Sequence, residues 1–397
     1  MSATMQSGRH SHPRRPAPAD STRNRYFDTL RATALLRVLL LHLFGWTWLP
    51  LVFPSMGVMF ALAGSLMAGS LDRSQTSSTV IRRRLRRLLP PLWAFGAVLV
   101  PIMVVTGWTA TTDGTQAPGV SLLSWAFPIT EPPSSDFAYD WAIPLWYLRT
   151  YLWLMLISPA LLWLWRRWPR VMMTLPFLTL LLIAGGLVQA KGPIGEGLVS
   201  TLTYVTCWMI GFAHHDGKLQ RLRMGSVLLI GALLAAAGVL VAVRYPLADY
   251  EGIAVGEIPV ATALFSLGFS MVLMRLPLRF SAVNRIPVLR ALLDAVNRRA
   301  MTIYIWGNIA IWLALGAMDR FGVYEALPGS WWPLTSLALT LLVLGVVVLA
   351  IGWVEDLAAR RRPQLIPVSR AGARQRDVRH EPSVRLAPTK PGKALSA

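Results

Sequence analysis

The sequence predicts an all-α fold, a polytopic transmembrane helical bundle of about ten helices with N and C termini cytoplasmic. Three observations predict it: an excess of apolar residues, a ladder of apolar runs of helix length, and a one-sided distribution of Arg and Lys. Hydrophobic residues make up 54% of 397 positions and charged ones 15%, too apolar for a soluble chain of this size to cover its surface. The net charge of +20 would suggest a nucleic-acid partner only if the cations gathered on a soluble face. They sit between apolar runs instead, so the expected partner is membrane lipid, with no nucleic acid. Cys207 is the single cysteine, which excludes an internal disulfide and a cysteine metal cluster.

Residues 1–25 are rich in Arg, Pro and Ser with no apolar core, the character of a cytoplasmic tail rather than a signal peptide. Ten runs of roughly 20 apolar residues follow, long enough to cross the hydrocarbon core, at about 28–48, 51–71, 88–107, 141–165, 171–190, 197–214, 225–243, 257–275, 300–317 and 332–354. Residues 26–357 thus form the membrane domain, and 358–397 read as a second disordered basic tail. With both tails inside, 33 of the 39 Lys and Arg fall on the cytoplasmic side and three, Lys191, Arg244 and Arg320, outside. The outer side holds ten of the 19 acids. Of the connections, 108–140 is long enough to expect a lid or an acceptor contact. The segment 276–299 reads as an amphipathic interfacial stretch. No internal repeat, Walker loop or dinucleotide fingerprint is present.

Several polar residues inside the runs could carry chemistry, because ionisable groups at membrane depth are costly and normally face protein or a water-filled cavity. On the first run, Arg31 and His42 are close to three whole helical turns apart, so they share a face about 16 Å apart along the axis, with Asp28 near the same stripe. The bland alternative is a structural histidine and a snorkelling arginine. In IRRRLRRLLPPLW, Arg84 and Arg87 are three apart on one helical face, a fork suited to phosphate oxygens, although such a run also enforces topology. Gly57, Ala61, Gly64 and Ala68 make a small-residue stripe for close helix packing. Arg149 sits among Trp141, Trp146 and Tyr151 in an interfacial aromatic belt; snorkelling outward is the first expectation, and contact with an anionic or sugar acceptor the second. His214 and His215 adjoin Asp216 and read as solvated loop residues, with no metal site expected.

Together these residues resemble the integral-membrane acyltransferase family 3, the bacterial O-acetyltransferase-like proteins. Its opening Asp, Leu-Arg and later His are similar to Asp28, Leu30, Arg31 and His42. Its Gly-Val, Phe and Leu-Ser-Gly stretch resembles Gly57, Val58, Phe60, Leu62, Ala63 and Gly64, with Ala63 where Ser is usual. The paired arginines before proline resemble Arg83, Arg84, Arg87, Leu88 and Pro90, and a Trp-Phe-Leu stretch resembles Trp146, Tyr147 and Leu148. TIYIWGN resembles Ile-Tyr-Leu-Trp-His over Ile303 to Trp306, with Gly307 where a second histidine is common. Arg37 also departs, standing where an aliphatic residue is usual.

The resemblance implies a multi-pass enzyme of the cell inner (plasma) membrane. It implies that His42 is the base for an attacking hydroxyl and that Arg31, Arg84 and Arg87 hold the phosphates of cytoplasmic acyl-CoA, with acetyl-CoA the expected donor and no metal. Asp28 would orient Arg31 or the donor. Arg149, Trp146 and Tyr304 are the acceptor-side candidates, for a hydroxyl of a glycan, lipid-linked sugar or secreted metabolite. Two other readings stand beside it: a transporter or flippase for an acylated or glycosylated lipid, and a relative that binds without catalysing, suggested by Ala63 and Gly307. The absence of paired halves with broken helices at matching positions counts against transport.

Overall fold

Each of the ten apolar runs folds as a helix. The computed structural model describes residues 25–247, 252–276 and 286–364, and among these no strand occurs. In chain order the helices of six or more residues among the described residues are α1 Arg25–Phe44, α2 Ser55–Asp72, α3 Ser77–Val105, α4 Leu145–Arg167, α5 Pro169–Ala184 and α6 Gly192–His215. They continue with α7 Met224–Arg244, α8 Pro259–Arg275, α9 Pro287–Arg298, α10 Ala300–Arg320, α11 Trp332–Ile351 and α12 Trp353–Ala358. Six helical stretches are long and apolar enough to cross a membrane: Leu49–Asp72, Ser77–Val105, Leu145–Arg167, Met224–Arg244, Ala300–Arg320 and Gly329–Ile351. Helices α5 and α8 are apolar but shorter. Helices α1 and α6 have the length and carry polar side chains; α6 is buried almost continuously from Thr203 to Ala213. A helix surrounded by protein need not be apolar all round, whereas α7 and α11, the most apolar spans, are the least buried.

Glycine sets the spine. A Cβ at Gly64 would lie 2.1 Å from the carbonyl oxygen of Trp208 on α6, and one at Gly211 the same distance from that of Ala61 on α2. At Gly57 it would meet Ser266 of α8 at 2.5 Å. The small-residue stripe is therefore a packing surface, as expected: Gly57, Ala61, Gly64 and Ala68 are all buried. On α3 the arginines stand on the helix itself, which begins at Ser77 and carries Pro90, Pro91 and Pro101 within it.

Helix ends expected on one side of the membrane are tied to one another. At the arginine-rich end, Arg166 of α4 bonds Asp72 of α2 at 2.8 Å and Asp216, just after α6, at 2.7 Å. His215 Nε2 meets the same Asp72 at 2.9 Å, and His214 Nδ1 meets Ser65 Oγ at 3.0 Å. These two histidines thus close α6 in paired positions and are not solvated loop residues, because both face carboxylate or hydroxyl partners on α2. Arg25 of α1 pairs with Asp294 of α9. Part of the expected interfacial stretch, 277–285, lies outside the described residues. Arg299, expected among its surface cations, is buried instead, held by Asp356 at 2.7 Å and by the carbonyl oxygens of Gly352 and Gln364. Bundle contacts therefore continue through Gln364, past the start expected for the second tail.

At the opposite end, the connection 108–140 is packed. Trp125 lies against Phe95 and fills the space that Gly96 leaves, 2.7 Å from where a Cβ would stand. Trp93 and Trp153 donate from their indole nitrogens to the carbonyls of Ala126 and Ile129. Asp136 accepts from the main-chain N–H groups of Thr112 at 2.9 Å and Thr111 at 3.0 Å, and these bonds hold its carboxyl well below the usual range.

Candidate active site

Helix α1 ends at Gly45, whose φ of +65° is a left-handed stop that favours glycine. One turn before that stop stands His42. Its exposed side chain lines a cavity of about 360 Å³ at the end opposite the arginines. The walls bring polar groups from five helices: Arg37 and His42 from α1, Ser55 from α2, Ser200, Thr203 and Tyr204 from α6, Thr262 and Ser266 from α8, and Tyr304 from α10. Trp146, with Pro144, closes another side, its ring stacked 5.6 Å from Tyr204. Glu257 is exposed and also lines the wall, so the cavity is reached from that end. Arg37 and Asp140 are the charges that bear on His42. The buried Ser55 Oγ has no hydrogen-bond partner among the described residues, a free hydroxyl in the wall.

Of the candidates, the cavity gathers His42, Trp146 and Tyr304 but not the others. Arg31 and Asp28 stand toward the arginine-rich end of α1. Asn297 of α9 bridges them, donating to the Asp28 carbonyl at 2.9 Å while its Oδ1 accepts from Arg31 at 3.3 Å. Arg84 points inward and donates to Tyr151 Oη at 2.9 Å and Ser70 Oγ at 3.2 Å. Arg87 is exposed. Arg31 is the cation that bears on Tyr147, one turn from Tyr151 on α4. The rings of Tyr151 and Tyr147 lie 6.2 Å apart, and those of Tyr147 and Tyr304 5.0 Å. A file of three tyrosines therefore joins the arginines to the cavity wall.

Arg149 does not snorkel. It is 2% exposed, donates to Ser200 Oγ at 3.3 Å, and stands 3.2 Å from Glu131 of the long connection. Partners within reach draw the guanidinium inward, and Gly197 leaves room for its stem, 3.5 Å from where a Cβ would be. It stands behind the cavity wall, joined to it through Ser200. Burial raises the Glu131 carboxyl to about 7, against the opposing pull of Arg149.

Beside His42 is a second, narrow void, lined by Leu39, Tyr304, Gly307 and Asn308 among others. A Cβ on Gly307 would meet only Leu39 Cδ1 at 3.6 Å, so the position has room for a side chain. The cluster of Asp72, His215 and Asp216 brings possible metal-ligand atoms within 4.8 Å of one another. Arg166 donates to both carboxylates and supplies the positive charge there, so the cluster reads as an ion-pair hub.

Residues 24–354 match the acyltransferase domain of family 3. The chain belongs to this acyltransferase family. A relative is Nodulation protein 10 of Rhizobium leguminosarum bv. viciae, 29% identical over 197 residues, which are 44% of this chain and 50% of that protein. The match thus spans about half the length of that curated relative. No solved structure matches the chain. Sequence reasoning did not single out Ser55, Tyr204 and Glu257, which line the cavity, or Asn297, which holds Arg31. Tyr204 and Ser55 lie in or beside apolar runs, Glu257 opens one, and neutral or edge residues give no periodic signal of which cavity they face.

Proposed function

We propose that this membrane-bound family member is an O-acyltransferase. It moves an acyl group, acetyl in the simplest case, from acyl-CoA at the arginine-rich end to a hydroxyl of a glycan, lipid-linked sugar or secreted metabolite at the opposite end. The observation that carries this reading is the connection of two unlike regions: a histidine in a polar cavity reached from one end, and arginines at the other, joined by Tyr151, Tyr147 and Tyr304. In the reaction His42 takes the proton of the acceptor hydroxyl as its oxygen attacks the thioester carbonyl. The C–S bond breaks and the thiol leaves with a proton. Arg84, Arg87 and Arg31 bind the donor phosphates, with Asp28 and Asn297 setting the position of Arg31. Ser55, Ser200, Trp146, Tyr204 and Glu257 offer hydroxyl, ring and carboxylate contacts suited to a polyhydroxylated acceptor, and Arg149 steadies Ser200 from behind.

With the arginine-rich end in the cytoplasm of a bacterial inner membrane, the donor comes from inside and the acceptor from outside. Comparative mass spectrometry of surface glycans and secreted metabolites, with and without the gene, tests this. Loss of a mass equal to one acyl group on one species is the expected result. An unchanged acyl inventory, with the unmodified species stranded on the wrong side of the membrane, would favour a flippase.

A further inference from the structure

Among the described residues, several arginines at the arginine-rich end have no carboxylate partner. Asp72 and Asp216 are held by Arg166, Asp294 by Arg25 and Asp356 by Arg299. Glu355 accepts from the Thr302 main-chain N–H at 2.7 Å and from its hydroxyl. No carboxylate pairs with Arg84, Arg86, Arg87 or Arg361 among the described residues. These four belong to one end of the fold: Arg84, Arg86 and Arg87 share α3, Arg86 Nε reaches the Ala358 carbonyl three residues before Arg361, and the charges of Arg361, Arg84 and Arg86 act on Arg87. Like charges gathered without an anion repel one another, and a polyanionic ligand would remove that cost.

Arg361 reaches this place through a specific clamp. Arg299, 1% exposed, grips Gly352, Asp356 and Gln364, and the Gln364 N–H donates to Asp356 at 3.1 Å. Gly352 is required for this approach, since a Cβ there would lie 2.9 Å from Arg299 Cδ. Helix α12 then docks on α3, where Arg86 Nε donates to the Ala358 carbonyl at 3.3 Å. Arg360 takes a left-handed φ of 55°, unfavourable for a residue with a side chain, and the turn is closed by the Arg361 N–H donating to Asp356 O at 2.7 Å. The result leaves the Arg361 side chain exposed at the end of α3 that carries Arg86 and Arg87, close enough for its charge to act on Arg87.

We infer that Arg361, presented by the Arg299–Asp356 clamp, is a further arm of a phosphate-binding cluster with Arg84 and Arg87, and that the phosphates it takes are those of the acyl-CoA donor. The inference rests on the proposed donor role of Arg84 and Arg87. The same chemistry could be supplied by an anionic lipid headgroup, so the test separates the two sources. Full-length protein in phosphatidylcholine nanodiscs is titrated with coenzyme A, and retained phosphatidylglycerol is measured by native mass spectrometry after mixed-lipid reconstitution. Arg361→Gln is expected to weaken coenzyme A binding about three- to tenfold, with Arg361→Lys restoring part of it and pantetheine, which lacks the nucleotide phosphates, unaffected. Gly352→Ala, which disturbs the Arg299 clamp while leaving the Arg361 side chain itself unchanged, is expected to weaken coenzyme A in the same direction. A loss of phosphatidylglycerol with unchanged coenzyme A affinity would keep the phosphate site and overturn the donor assignment. If neither ligand responds to Arg361→Gln while Arg84→Gln weakens coenzyme A, the further arm is refuted and the donor reading stands. If coenzyme A binds no variant and not the parent protein, the donor reading itself fails.

Discussion

At the arginine-rich end the ion pairs of Arg25, Arg166 and Arg299 tie helices together, and among the described residues other guanidinium groups have no carboxylate partner; at the opposite end Arg149 and Glu131 meet behind a cavity of hydroxyls and aromatic rings. One end offers charge to a ligand, and the other offers hydrogen bonds and ring faces. The contrast suits two substrates of different polarity, each met by groups that do not compete for the other. It also explains why the three tyrosines matter. They are neutral and packed ring to ring, so the donor path proposed above strands no charge between the two regions.

The largest expected effect breaks the cavity end. His42→Ala should lower acyl transfer by on the order of a hundred- to ten-thousandfold, with membrane insertion and abundance retained. Transfer at the parental rate by that variant, assayed with radiolabelled acyl-CoA, would remove the base from His42. Next comes the other end. Arg84→Gln combined with Arg87→Gln should raise the Kd for acyl-CoA by about tenfold or more while acceptor affinity stays within about twofold. An equal loss for both substrates would mean that the two ends are not divided as described.

A smaller effect sharpens the comparison through pH. Glu131 keeps its proton in the folded protein up to about 7, above the ordinary carboxyl value of 4.5, because its half-buried site disfavours the charged form. Between those values the folded state binds more protons than the unfolded one, so its contribution to stability falls as pH rises through the window. Thermal unfolding in detergent should therefore show a decline between about pH 5 and 7 that Glu131→Gln lessens. Identical profiles for the two proteins would place the pH dependence elsewhere. The smallest effect concerns the void next to His42. Gly307→Ala should be tolerated and should stabilise α10 by about 0.5–1 kcal/mol, since the Cβ meets only Leu39. A marked loss of activity would show that the void itself is used.

Helix positions were readable because lipid imposes length and apolarity on each crossing, and the face shared by Gly57, Ala61, Gly64 and Ala68 was readable because only close packing needs four small residues in register. The stripe of Asp28, Arg31 and His42 could be seen for a related reason: ionisable groups stand out against an apolar run. Other features depended on tertiary partners. Arg149 was expected at the membrane surface because nothing local marked Glu131 and Ser200 as its partners across the fold. Arg299 looked like one surface cation among several until Gly352, Asp356 and Gln364 were brought around it. Hydroxyls such as Ser55 and Tyr204 cost too little at a helix surface to betray their direction in a sequence.

The backbone contacts at Gly64 and Gly211 have a consequence for motion. Two helices whose main chains touch with no side chain between them have no slack for sliding or for parting by small steps. In the reaction proposed above, transit of an acyl chain past this seam would fall to side-chain torsions, with phenol rings turning aside like turnstile arms while the framework stays still. On that account turnover should be sensitive to the bulk of those three rings and indifferent to a cross-link stapling the two glycine-bearing helices together.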